Sequence, residues 1–271
     1  MKRLLSIFLV FAFNSLFAQD SMLKIKPALT IKGEVRDFTT DNMGNIYVVT
    51  NTNQVKKLSS KGDSISIYND IRRYGKIYSI DATNPLKVLV YFRDFGTIVV
   101  LDRLLNARNT IDLRRENILQ VRAVTSSYDN NIWLYDELES KIKKIDDNGR
   151  VIFESTDYRQ AFDSVPTPVS MFDRDGQLYL YDQRKGIFVF DYYGARKNTF
   201  QLFNYSDLQV LNKNSISAKD SSSIILYNPL ALQLDRYTIP NYTNYSKINF
   251  NGNRVYGLTK EGNLEVLDII L

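Results

Sequence analysis

One layout recurs along this chain, and it restricts the fold more than any other feature. The stretch DGQLYLYDQRKGIFVFDYYG at 175–194 shares its order of turn and apolar residues with YDNNIWLYDELESKIKKIDDNG at 128–149 and MGNIYVVTNTNQVKKLSSKG at 43–62. Weaker copies are NPLKVLVYFRDFGTIVVLD at 84–102, SSSIILYNPLALQLD at 221–235 and GNRVYGLTKEGNLEVLD at 252–268. Taking the first apolar residue of the second strand in each copy gives Ile46, Val88, Ile132, Leu178, Ile224 and Val255, at steps of 42, 44, 46, 46 and 31 residues. A second apolar anchor follows in every copy, at Val55, Ile98, Ile142, Ile187, Leu232 and Leu264. A period in the forties with several short strands per unit is the signature of a β-propeller. The short last step reads as a trimmed loop.

The strands inside a unit follow from Tyr, Ile, Val and Phe in alternating or continuous apolar runs. In the fourth unit they are expected at 169–172, 177–181, 187–191 and 198–202, separated by Asp-Gly, Arg-Lys-Gly and Tyr-Gly-Ala turns. No segment has a long helical period, and no linker divides the chain. The expectation is an all-β, six-bladed propeller of four-stranded antiparallel blades, formed as one domain from residues 19–271. The sixth unit supplies only three strands, near 246–250, 254–259 and 264–271. KPALTIK at 26–32 is therefore expected to complete that last blade and close the ring, which removes an exposed strand edge.

Asp173-Arg174-Asp175-Gly176 looks like a scrap of a calcium loop. It recurs as Asp41–Gly44, Asp129–Ile132, Asp220–Ser223 and Asn249–Gly252, none of which keeps both of its carboxylates. What persists is turn chemistry, so these segments read as the connection between the first two strands of a blade.

Lys2 and Arg3 precede an apolar run from Leu4 to Phe13, followed by a partly polar stretch to Gln19. This is the pattern of a cleaved signal peptide ending near Ala18, and the run is too short to span a bilayer. The expected location is periplasmic or associated with an outer membrane. Net charge is +5 over the whole chain with the signs mixed, which gives no nucleic-acid footprint. Cysteine and histidine are both absent. Stability must then come from the core rather than disulfides, and the commonest general base and transition-metal ligand is missing. No Walker loop, G-x-S-x-G or paired cysteines occur. The matches NYSD at 204–207 and NYTNYS at 241–246 to glycosylation acceptors read as accidental.

VSMFDRDGQLYLYDQRKGIFVFDYYG at 169–194 and VTSSYDNNIWLYDELESKIKKIDDNGRVI at 124–152 resemble the NHL-type and related six-bladed propellers. The resemblance implies fold over the mature chain, and propellers serve as hydrolases, receptors and scaffolds alike. Metal-dependent lactonases of the gluconolactonase type are similar propellers, with a cation held by Glu, Asn and Asp at the starts of inner strands. Here Glu34 and Asn214 could match two of those positions, while Tyr78, Arg122, Val169 and Ser246 stand at the others, too few oxygen ligands for a metal. No cofactor, metal or catalytic residue is expected on this reading.

The loops between blades and the loops joining second and third strands should share one face, where binding residues concentrate. They carry Arg72, Arg73 and Tyr74; Arg93; Arg114 and Arg115; Tyr158, Arg159 and Phe162; and Arg184, with an acidic sector at Asp136, Glu137 and Glu139. Arg and Tyr are enriched in interface hot spots. The expected function is non-catalytic binding of another protein. The leader ending LFAQ resembles those of gliding and gut-type Gram-negative bacteria. That resemblance implies an accessory subunit of an outer-membrane export machine, such as a type IX translocon. A lactonase-type hydrolase and a carbohydrate- or peptide-binding sensor are the alternatives.

Overall fold

In the computed structural model, described over residues 21–69 and 71–270 apart from the side chains of residues 71 and 72, the repeat becomes six antiparallel sheets. The signal segment expected at 1–18 lies outside the described residues. Two strands precede the first complete blade, β1 (Ser21–Met22) and β2 (Ile25–Ile31). Blade one holds β3–β6 (Val35–Thr40, Ile46–Thr50, Val55–Leu58, Ser64–Tyr68). Blade two holds β7–β10 (Ser79–Asn84, Lys87–Phe92, Thr97–Leu101, Ala107–Asp112). Blade three holds β11–β14 (Val121–Ser126, Ile132–Asp136, Lys141–Ile145, Val151–Glu154), and blade four β15–β18 (Ser170–Arg174, Gln177–Asp182, Gly186–Phe190, Arg196–Phe200). Blade five holds β19–β22 (Ser206–Asn212, Ser215–Lys219, Ile224–Asn228, Gln233–Thr238). Blade six holds β23–β25 (Tyr245–Asn251, Arg254–Thr259, Leu264–Ile269).

The ring closes as the sequence implies. β2 pairs antiparallel with β25, from Ile25 opposite Ile269 to Ile31 opposite Leu264, and so becomes the outer strand of blade six. β1 adds a short parallel strand outside β22, an addition the repeat did not reveal. Inner strands touch in succession around the circle, with β23 meeting β3.

The energetics follow from this arrangement. The described buried apolar side chains fall into six clusters, one at each junction between neighbouring blades. A second strand such as β4, β8, β12 or β16 is therefore covered on both faces, which explains its continuous rather than alternating apolar sequence. Aromatic pairs span several junctions, including Phe38 with Tyr256 at 6.4 Å and Tyr158 with Phe190 at 5.1 Å between ring centroids.

Blade five corrects the sequence reading. Ile224 lies in its third strand, not its second, and Leu232 lies in the turn before β22. The second strand is β20, which starts its apolar content at Ile216. Ile216 falls 38 residues after Leu178 and 39 before Val255, so the irregular steps of 46 and 31 disappear. Asp220–Ser223 correspondingly joins the second and third strands, not the first and second.

Turn chemistry accounts for the recurring Asp motif. Asp41 accepts hydrogen bonds from the backbone N–H groups of Met43 and Asn45, both at 2.9 Å. Asp175 and Gly176 make the β15–β16 turn with φ of 50° and 80°, the left-handed pair that a tight hairpin needs. Asp173 does something else: its carboxylate reaches blade three, accepting from Trp133 Nε1 at 3.0 Å and the Tyr128 N–H at 3.2 Å.

Candidate functional site

Two concave regions are candidates: the face carrying the inter-blade loops, and the channel on the ring axis. The first is assembled in part by backbone hydrogen bonds between three of the inter-blade loops, those after blades two, three and four, and the turn between second and third strands of the same blade. Leu113 N–H donates to Gly96 O at 2.9 Å, Tyr158 N–H to Ser140 O at 3.0 Å, and Asn204 N–H to Gln183 O at 2.7 Å. These bonds satisfy loop groups that strand pairing leaves open. They also place the arginine-bearing loops on one face, as the sequence pattern requires.

The expected binding residues then divide by exposure. Arg93, in a 3-10 turn at Arg93–Phe95, lays its guanidinium carbon 3.9 Å from the centroid of the exposed Tyr78 ring. Arg73, Tyr74, Arg114 and Arg115 line a surface cavity of about 520 Å³ together with Phe95 and Glu116. A smaller cavity of about 270 Å³ joins Arg93 to Leu119, Gln120, Arg122 and Glu137. Arg114 is steadied by donating to Asp94 O at 2.8 Å. Arg72 belongs to the short helix Ile71–Tyr74 between blades one and two. Arg159 and Arg184 are exposed but belong to blades three and four, outside both cavities; Arg159 pairs with Asp157 at 2.7 Å.

The aromatic members have another job. Tyr158 is 1% exposed and stacks on Phe190, and burial pushes its phenol above the ordinary tyrosine range. Phe162 packs edge-on against Tyr158 and Phe188, with Arg196 over its ring. Tyr74 is buried against Phe92. Tyr158 and Phe162 wedge blades together rather than facing outward, and Tyr74 does so while still lining the larger surface cavity. In their place the structure exposes Tyr78, Phe95 and Leu119, which sequence reading had assigned no binding role.

The acidic sector is largely neutralised. Asp136 is buried and paired with Lys143 at 2.9 Å, and Glu137 is paired with Arg122 at 2.6 Å. Glu139 is held below the usual carboxylate range, first by the hydrogen bond from Lys143, with burial opposing.

The axial channel, about 1070 Å³, is walled by the six inner strands β3, β7, β11, β15, β19 and β23. The lactonase ligand set is not assembled there. Glu34 is exposed just before β3, and Asn214 is exposed in the turn after β19 rather than at the start of an inner strand. Among the described residues, no group of three or more acidic, His or Cys side chains could hold a metal.

No protein-family model and no curated protein sequence matches the chain. Solved structures do. Virginiamycin B lyase from Staphylococcus aureus, in a catalytically inactive histidine-to-alanine form with Quinupristin, aligns with a TM-score of 0.65. The alignment has 11% identity and covers 92% of this chain and 100% of that one. The fold is that of a β-propeller. The β-propeller domain of Cps50 (Swd1) from Myceliophteria thermophila gives a TM-score of 0.64 at 7% identity, covering 91% of this chain and all of that one. BBS1N, crystallised in complex with ARL6DN, gives 0.52 at 11% identity, with 92% and 98% covered. Identities this low establish shared architecture, and activity must be argued from the sites.

Proposed function

We propose that this chain is a non-catalytic, exported propeller that binds another protein through its loop face, as an accessory subunit of an outer-membrane secretion or assembly complex. The observation that carries the reading is the exposed cluster over blades two and three. The Arg93 guanidinium is stacked on Tyr78, beside Phe95 and the 61%-exposed Leu119, within the arginine-rich surround of Arg73, Arg114 and Arg115. Stacked Arg and aromatic groups next to exposed apolar side chains are the composition of an interface hot spot. The BBS1N propeller in complex with ARL6DN supports the use of this fold as a protein-binding platform. The signal-like first residues supply the argument for export.

The lyase likeness supports no shared chemistry. That enzyme is catalytically inactive once a histidine is replaced by alanine, and this chain contains no histidine.

The test is affinity purification of the tagged chain from native membranes, with mass spectrometry, beside a triple variant Arg93→Glu, Phe95→Ala, Leu119→Ser. The wild type is expected to bring down a stoichiometric membrane-complex partner. The variant should lose at least tenfold of it, since hot-spot truncations cost about 2 kcal/mol or more each. A wild type that purifies alone overturns the partner reading, and equal capture by the folded variant overturns the surface.

A further inference from the structure

The exposed cluster over blades two and three has a charge pattern as well as an aromatic one. Arg73, Arg114 and Arg115 line the larger surface cavity, and Arg93 and Arg122 line the smaller. Against them in those walls stand Asp112, Glu116 and Glu137. Glu137 is taken up by Arg122 at 2.6 Å, and Asp112 lies 3.7 Å from Arg115. Among the described residues no ion pair includes Arg73, Arg93 or Arg114. All three are exposed, with Asp94 and Glu116 as the exposed acids left beside them.

These guanidiniums are nevertheless held in place. That of Arg93 lies 3.9 Å from the Tyr78 centroid, and Tyr78 packs edge-on against the buried Tyr91 at 5.8 Å. That of Arg73 lies 5.4 Å from the Tyr74 centroid. Arg114 donates to Asp94 O at 2.8 Å. A guanidinium held by its face or by one N–H keeps its remaining in-plane donors for a carboxylate, and little side-chain freedom is lost when one arrives.

The arginines also follow a line. Outer strand β10 supplies Thr110 and Ile111 to the larger cavity. The turn Arg93–Phe95 puts Phe95 in that cavity and Arg93 in the smaller one. Arg122, on inner strand β11, lines both the smaller cavity and the axial channel, and Tyr78 lines the channel too. The track therefore runs from the rim of the ring to its axis, with the exposed Phe95 and Leu119 among the charges.

We propose that the partner lays an extended acidic segment along this track, with its carboxylates on Arg73, Arg93 and Arg114 and its apolar side chains on Phe95 and Leu119. This rests on the reading of the loop face as a protein-binding surface. Arginines without an internal counter-ion are complementary to an anionic partner, and their planar forks match carboxylates in pairs of hydrogen bonds. Phe95 and Leu119 favour a polypeptide, and Asp94 and Glu116 repel a chain that carries a phosphate at every unit.

The first experiment is isothermal titration of the full mature chain with a blocked peptide of Glu-Glu-Leu-Gly repeats. The same peptide with Gln for Glu and an oligothymidylate of equal length are the comparisons. Saturable binding of the acidic peptide is expected at about 0.01 M salt, with at least a tenfold loss at about 1 M, as the screening length falls from about 30 Å to about 3 Å. The variant Arg73→Gln, Arg93→Gln, Arg114→Gln keeps polar side chains and should weaken binding at least tenfold. Arg159→Gln with Arg184→Gln removes exposed charge outside the track and should leave it unchanged. No binding of the acidic peptide, equal binding of the Gln peptide, tighter binding of the oligothymidylate, or no greater loss in the folded track variant than in the outer one overturns the proposal. The second experiment repeats partner capture from native membranes with the track variant, where a loss of at least tenfold is expected. Full capture by that variant, while Phe95→Ala with Leu119→Ser loses the partner, overturns the acidic segment and leaves the surface standing. Peptide binding on these arginines in a wild type that captures no partner upholds acidic recognition and overturns the membrane-complex reading instead.

Discussion

At the scale of single residues, identity was easier to read than orientation. Tyr74, Tyr158 and Phe162 look like docking residues because they stand in loops, where no strand period tells inward from outward. The fold turns them into wedges between blades, since each junction needs large apolar volume where the strands end. Arg93 and Arg114 stayed at the surface because a guanidinium is costly to bury unpaired. Asp207 stands in the sequence only as the end of the NYSD stretch. The structure places it partly buried in β19, accepting the Ile248 N–H, with a consequence testable by pH. Its folded-state carboxyl is raised by burial, whereas the unfolded chain should show an ordinary value of about 3.9. An acid shifted in this direction contributes its stability below the unfolded value and loses it as pH rises through the folded one. Asp207→Asn removes the desolvated charge and retains an amide oxygen for Ile248. The variant should therefore melt above the wild type at pH 7–8, and the difference should shrink toward zero as the buffer approaches pH 4. Thermal denaturation across that range checks it, and a constant difference would count against burial as the cause.

Among the elements, the strands of five blades were legible because second strands buried on both faces must be apolar runs. Blade five breaks the pattern. Its second strand β20 reads SISAK, with Ser217 buried between Gln209 and Leu226 of the flanking strands, while its third strand β21 opens with the apolar run Ile224-Ile225-Leu226-Tyr227. The stronger run therefore imitates a second strand and shifts the frame by one element. The period alone could have corrected this, since Ile216 restores near-equal spacing. The two frames make opposite demands on two residues. Ile216 is 1% exposed in the junction between blades four and five, whereas Leu232 is 74% exposed in a turn. Ile216→Asp buries an unpaired carboxylate and should cost several kcal/mol, enough to impair folding. Leu232→Asp should change stability by no more than about 0.5 kcal/mol. Denaturant unfolding of the two variants separates the frames, and the reverse ranking would restore Leu232 as a core anchor.

For the whole molecule, the six junction cores form a closed series, so each blade depends on two neighbours and no junction is redundant. The sixth junction is the vulnerable one because its outer strand comes from the opposite end of the described chain. β2 brings Leu29 and Ile31 against the cluster between blades six and one, and Ile25 against the cluster between blades five and six. Its outward edge carries Pro27 beside a register slip, so the strand that closes the ring also resists further strand addition. Removing residues 25–31 would leave Leu264 and Val266 without that cover and expose the β25 edge. Losing two or three large apolar contacts at about 1.5–3 kcal/mol each predicts a loss of roughly 3–9 kcal/mol. For a chain of this size each kcal/mol lowers the melting temperature by about 2–4 °C, so the fall should be large and easily measured. A synthetic peptide spanning residues 21–33, added to the truncated chain, should recover part of that loss by filling the vacant edge in trans. If the truncated protein instead melts at the wild-type temperature, the ring must be held by the remaining contacts between blades six and one, and the N-terminal strand would be an ornament rather than a clasp.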